Sequence, residues 1–329
     1  SFEVSDSKSM YKQIRGITGS SSKDSNGVIR DSDGNLVTDR QAILRSWVDH
    51  FSKQFSAPLP SHPPPHDSEN LDENVSSSIS IDPPSDDEIR FAVDSLKQDK
   101  AAGPDDIFPE MLKAAPPSWF FLFSSLVRDI WQEGRVPAEW AKSICIPIHK
   151  KGSKFDCCNY RGISLIQVAV KIIESILARR VNSFRESRIR EQQAGFRHGY
   201  GCIDLIFVVP QVLELRKTYC IPTLAYFLDI KRAFDSVDRD RLWNILAKTG
   251  NPSKIIGLIK SMYEKQSSVV RVLGSVSDDF SPRTGVWQGA VLSPVLFTWV
   301  IDRVISEAPV LHRCSTWWKC YLQFSRIRR

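Results

Sequence analysis

The chain has 329 residues, 42% of them hydrophobic and 25% charged, with a formal net charge of +6. This is an ordinary globular composition, and the length suits one large domain or two small ones. No apolar run approaches the roughly 18 residues of a membrane span, and seven irregularly spaced cysteines without a CxxC signal neither a disulfide framework nor a zinc site.

Residues 1–30 are polar throughout, so no signal peptide is indicated and an intracellular protein is expected, with nothing to separate nucleus from cytoplasm. The first residue is Ser1, which suggests a fragment or a processed product. Charge is unevenly spread. Residues 1–120 hold 12 Lys+Arg against 20 Asp+Glu, a net of −8, whereas residues 121–329 hold 32 against 18, a net of +14. A basic body behind an acidic leader suits a partner with a phosphate backbone.

Taken in chain order, residues 1–40 are rich in Ser, Asp, Gly and Asn and read as a linker, with a short hairpin around Asp33-Gly34. Residues 41–55 carry Ile43, Leu44, Trp47, Val48, Phe51 and Phe55 at helical spacing, an amphipathic helix whose apolar face must dock. Five prolines from Pro58 to Pro65 form a stiff break, and residues 66–80 are polar and acidic. Ser85-Asp86-Asp87-Glu88 is a capping-box pattern and predicts a helix through Leu96. Ala102-Gly103-Pro104-Asp105 interrupts it, and another helix starts at Pro109. Residues 119–133 form a strongly apolar helix ending at Gly134.

A short strand at 143–148 enters the basic turn His149-Lys150-Lys151-Gly152, and a second follows at 163–166. Residues 168–181 and 202–216 read as helices, the latter with Pro210 inside it. The continuous apolar run 224–228 has the length of a buried central strand and delivers Asp229 at its end. Helices are predicted at 241–248, with Gly250 as C-cap, and at 252–263. Residues 269–273 and the segment around Phe280 read as hairpin strands. Ser293-Pro294 opens the last helix, with Ser293 as N-cap.

A carboxylate where a buried strand emerges can hold a hard divalent cation, because oxygen ligands suit magnesium. Asp229 is placed there. Asp235, six residues on, is expected to cap the next turn rather than share an ion. Asp278-Asp279 is expected to form a turn.

Five constellations stand in a fixed order. They are Ile146-Pro147-Ile148-His149-Lys150-Lys151-Gly152, Asn159-Tyr160-Arg161-Gly162-Ile163-Ser164-Leu165, Gln193-Ala194-Gly195-Phe196-Arg197, Phe227-Leu228-Asp229-Ile230-Lys231-Arg232-Ala233-Phe234-Asp235, and Gly285-Val286-Trp287-Gln288-Gly289-Ala290-Val291-Leu292-Ser293-Pro294. Together they resemble the reverse transcriptase of non-LTR (LINE-type) retrotransposons, from about residue 81 to residue 302. Ala101-Ala102-Gly103-Pro104-Asp105 and the Trp47 helix resemble sequence found ahead of that domain.

The resemblance implies an α/β (α+β) fold, the fingers and part of the palm of a right-hand polymerase, behind a mostly helical N-terminal extension. Its divisions fall at 1–80 (linker-like extension with the 41–55 helix), 81–220 (fingers and N-terminal part of the reverse transcriptase domain), 221–311 (partial palm) and 312–329 (a tail unlike the family). It implies RNA-directed DNA synthesis, with an RNA template, a DNA primer and dNTPs as partners and no membrane. Asp229 would be catalytic and would bind metal together with the backbone carbonyl of Ile230, two Mg2+ ions about 3.5–4 Å apart clamping the attacking and leaving oxygens. Phe234 would lie under the sugar of the incoming nucleotide and exclude a 2′-hydroxyl. Lys150, Lys151 and Arg161 would hold phosphates. Gln288 and Gly289 would sit beside the nascent base pair, and Arg197 would serve template or structural contacts.

The family places a pair of aspartates after the Gln-Gly loop. Only Asp302 and Glu307 are acidic beyond residue 290, and neither is paired. The chain is therefore expected to lack polymerase activity by itself, with a nucleic-acid-binding remnant as the alternative. A magnesium phosphohydrolase would want an Asp two residues after Asp229, where Lys231 stands.

Overall fold

The computed structural model describes residues 27–56, 79–186, 188–189, 193–197, 199–223 and 229–307. The strand expected at 224–228 and the segment 312–329 lie outside the described residues. The hairpin expected near Asp33-Gly34 is present as β1 (Ile29–Arg30) and β2 (Leu36–Val37). Asp31 organises its turn by accepting from the N–H groups of Asp33 and Asn35. Next comes α1 (Arg40–Gln54), capped by Asp39, whose carboxylate accepts from Ala42 N.

The capping box forms as expected at α2 (Asp86–Asp94), Ser85 and Glu88 exchanging side-chain-to-backbone bonds. α3 (Pro109–Lys113) and α4 (Pro117–Glu133) follow. α4 stops at Gly134, whose φ of 69° is the left-handed conformation that a helix end favours. β3 (Lys142–His149) and β4 (Tyr160–Ile166) pair antiparallel, from Ser143 opposite Ile166 to His149 opposite Tyr160. α5 (Val168–Glu186), α6 (Cys202–Thr218), α7 (Arg239–Lys248) and α8 (Ser253–Glu264) intervene before β5 (Ser267–Val272) and β6 (Ser275–Val276), and α9 (Ser293–Glu307) follows.

β5 lies parallel to β3, so the sheet order is β4-β3-β5-β6. Strands from either side of the boundary placed at residue 220 thus share one sheet. The β5–β6 turn is Leu273-Gly274, with positive φ at both residues, as a two-residue type I′ hairpin requires. Three local expectations shift. Phe280 makes a single bridge to Ser268, while β6 supplies the hairpin partner. α7 has Thr249 at its C-cap, with Gly250 one residue beyond. Ser293 is the first residue of α9 itself rather than its cap.

α1 docks on the sheet. Trp47 and Phe51 are wholly buried in a cluster with Cys145, Tyr160, Val270, Val272 and Phe280. Trp47 meets Tyr160 edge-on at 4.9 Å, and Phe51 stacks on Phe55 at 5.8 Å. Gly162 makes the room, since a Cβ there would lie 2.7 Å from both Phe51 Cε1 and Cys145 Sγ. A larger cluster joins α2, α4, α5, α7, α8 and α9, with Trp131, Ile173, Leu177, Leu246, Leu258 and Leu296 at its centre. By contrast, no described side chain of α6 is buried, and Ile203 and Phe207 are 80% and 68% exposed.

Candidate functional site

The described chain resumes at Asp229, which is exposed, as is Ile230. A tight turn follows: Arg232 takes a φ of 53°, and its carbonyl accepts from both Asp235 N and Ser236 N at 2.9 Å. The turn lays Phe234 half-buried against the core. Its ring stacks on Phe297 of α9 at 4.9 Å and meets Phe196 edge-on at 6.2 Å.

Asp235 does not cap the next turn. The turn sweeps its side chain inward, leaving it 6% exposed, and Oδ2 accepts from Gln54 Nε2 of α1 at 2.8 Å. The capping role falls to Asp238, which accepts from Arg241 N at the start of α7. Burial pushes the Asp235 carboxyl up to about 6, against the Gln54 bond and the charges of Arg232 and Arg161.

The loop carrying Gln288 is laid on this turn. Val286 N donates to Phe234 O at 2.9 Å, Gly285 N to Val237 O at 2.8 Å, and Thr284 Oγ1 to Asp235 O at 3.0 Å. The approach requires glycine: Gly285 has a φ of 84°, and a Cβ there would lie 2.7 Å from Asp235 O. Ser164 N of β4 donates to Gln288 O at 2.8 Å, and Gly289 takes a φ of 118° beside Ser164 O. The constellations around Tyr160–Ile166, Phe234 and Gln288 therefore meet at one place, and Phe196 brings in the fourth.

The basic residues differ in their surroundings. Lys150 and Lys151 are exposed in the β3–β4 turn and make no ion pair among the described residues. Arg161 is half-buried on β4, opposite Ile148. Arg197 is engaged internally: it bonds Glu186 Oε1 through Nε and Nη2 at 2.8 and 2.6 Å, bonds Gln193 O, and stacks over Tyr200. Asp279 pairs with Lys142 at 3.1 Å, beside the bridge of Phe280. Among the described residues no group of three or more His, Cys, Asp or Glu could hold a metal ion.

Sequence reasoning missed three residues. Gln54 gave no signal, being a polar residue at a helix end. Arg239 donates to the carbonyls of Gly285, Tyr263, Pro282 and Thr284 and to Gln266, stitching the loop to α8; burial lowers its guanidinium to about 10. Glu174 of α5, fully buried, accepts from Val291 N. A signal for it existed: it stands four residues after Val170 and three before Leu177, on the apolar stripe.

A family described as "Reverse transcriptase (RNA-dependent DNA polymerase)" matches residues 148–322. The "Probable RNA-directed DNA polymerase from transposon BS" of Drosophila melanogaster is 29% identical over 280 residues, covering 82% of this chain and 30% of that protein. The corresponding protein of transposon X-element is 32% identical over 220 residues, covering 64% and 23%. The Pol polyprotein of element R2DM is 29% identical over 209 residues, covering 63% and 19%. The chain thus spans less than a third of each relative's length. No helix among the described residues is long and apolar enough to cross a membrane.

Proposed function

The chain belongs to the reverse transcriptase (RNA-dependent DNA polymerase) family, of the non-LTR, LINE type, and from this we propose that it contributes the nucleotide and template site of an RNA-directed DNA polymerase. The observation that carries the reading is the backbone pairing of Phe234 with Val286 and of Gln288 with Ser164, which joins three family constellations in one surface. On this reading the partners are an RNA template, a DNA primer and dNTPs. Residues 81–220 are the fingers and the N-terminal part of the reverse transcriptase domain, and 221–311 are part of the palm.

Lys150, Lys151 and Arg161 hold phosphates, the lysines as exposed point charges and the arginine as a pre-aimed fork. Phe234, braced from behind by Phe297, presents a flat wall to the sugar and rejects a 2′-hydroxyl by contact. Gly289 lets the backbone come close to the base pair, and Gln288 offers it hydrogen bonds. Arg197 is structural, its guanidinium being occupied by Glu186.

Divalent metal is general to the family. We assign magnesium to Asp229 and the Ile230 carbonyl. Among the described residues no further His, Cys, Asp or Glu completes a group of three there, which does not fit a full two-ion site.

The test is binding and extension with an RNA template, a DNA primer, magnesium and dNTPs. The chain is expected to bind the template–primer and to prefer dNTP over rNTP, and Phe234→Ala is expected to narrow that preference. Template–primer binding without any discrimination between dNTP and rNTP would make it a nucleic-acid-binding module, and absence of binding would sink both readings.

A further inference from the structure

Helix α1 lies ahead of the stretch that matches the family, yet its C-terminal end is built into the candidate site. Gln54, itself 6% exposed, donates to Asp235 in a fully buried bond across 181 residues of chain. One residue on, the carbonyl of Phe55 accepts from both Arg283 N and Thr284 N at 2.8 Å. Those residues lead into the loop that bonds the Phe234 turn at Asp235, Phe234 and Val237. One helix end therefore holds the turn carrying Phe234 and the loop carrying Gln288 together.

The surroundings of Asp235 point the same way. Arg161 of β4 and Arg232 of the turn are its cationic neighbours, and the buried thiol of Cys145 on β3 faces it. From α1 come Gln54 and, behind it, His50, whose imidazole burial lowers to about 4 and so keeps neutral. Asp235 thus lies within electrostatic reach of Arg161 and Arg232, with its second oxygen meeting no donor.

Resting on the polymerase reading, we propose that Gln54 and Asp235 are positioning residues: their buried bond makes α1 the bracket that sets the Phe234 turn and the Gln288 loop. Neither residue touches the nucleotide on this view. Both act through residues that do.

The test uses the full chain and two readouts: hydrogen exchange at Asp235, Ser236, Gly285 and Val286, and dTTP affinity on an RNA–DNA template–primer. Gln54→Met leaves a buried carboxylate unpaired and lowers the melting temperature; adding Asp235→Leu removes both partners and is expected to recover most of that loss. In the recovered double variant those four amides should still exchange about ten-fold faster than wild type, and dTTP should bind about ten-fold more weakly. Return of protection and affinity together with the melting temperature would overturn the proposal, because the pair would then only stabilise.

A second pair covers failure to fold. Gln54→Asn withdraws the donor by one carbon, and Asp235→Glu extends the acceptor by one, so the combined change should restore protection and affinity that Gln54→Asn alone loses. A folded combined variant without that rescue would also overturn the proposal. Should wild type bind no dTTP, the polymerase reading fails for this chain, and the exchange readout alone decides whether α1 is the bracket.

Discussion

Glu174 accepts the backbone N–H of Val291 at 2.8 Å although none of its side chain reaches solvent. Its other oxygen, Oε1, is buried and meets no donor, and Val291 lies just before α9 begins. Through this one group α5 holds both the start of α9 and the Gln288-Gly289 loop beside it.

That arrangement makes stability depend on pH. Burial drives the Glu174 carboxyl from its ordinary 4.5 up to about 7, against the bond from Val291 N, the nearby Leu292 amide and the charge of Lys171. A raised value means that the folded chain holds the proton more tightly than the unfolded one. The stabilisation is full below about 4.5 and is lost as pH rises through 7. At roughly 1.4 kcal/mol per pH unit, the loss amounts to about 3 kcal/mol. Glu174→Gln stays neutral and should flatten this part of the profile. Urea melts at pH 5 and pH 8 check it; a wild-type-to-variant difference that is equal at both would refute it.

Gly285→Ala should destabilise by about 3 kcal/mol, combining a left-handed backbone with a clash against Asp235. Gly257 is the contrast. It sits within α8, and a Cβ there meets nothing within 4 Å. Gly257→Ala should therefore stabilise by about 0.5–1 kcal/mol. Chemical denaturation of the two variants gives opposite signs if the geometry is right.

Phe51 and Gly162 should be coupled. Phe51→Ala opens a cavity under α1 at a cost of about 3–5 kcal/mol, and Gly162→Ala alone overpacks by about 1–3 kcal/mol. In the double variant the new methyl occupies space the ring has left. The combined loss should fall short of the sum by about 1 kcal/mol or more. A double-mutant cycle with strictly additive terms would show that the two do not share that space.

Lys150 and Lys151 should report on phosphate contact through salt. Each lysine neutralised to Gln is expected to reduce the slope of log affinity against log salt by about 0.7–0.9 for an RNA template–primer. Slopes that match wild type would place the β3–β4 turn outside the interface.

Much of the fold was legible because its signals are local. The Ser85–Glu88 box, the Gly134 stop and the apolar period of residues 41–55 each depend on neighbours in sequence, and each formed. What stayed hidden depends on partners far along the chain. Asp235 reads as a turn residue, and only the arrival of Gln54 makes it a buried one. The parallel pairing of β3 with β5 leaves no trace in either strand's residues. Of the site, the order of constellations was readable and the residues that join them were not, since Gln54, Glu174 and Arg239 act on backbone or buried partners rather than on the nucleotide.

The parallel pairing also governs how the chain reaches this state. Ser143 and Ser268 share a buried hydrogen bond at 2.7 Å while standing 125 residues apart. Loop-closure entropy over such a span must be overcome before the contact contributes anything. On that ground the β3–β4 hairpin and the helices that follow it are expected to assemble first and β5 to join late, completing with Val270 and Val272 the surface on which α1 rests. Substitutions in β5 or on the docked face of α1 should then leave the folding rate nearly unchanged and accelerate unfolding, the kinetic mark of contacts made after the transition state.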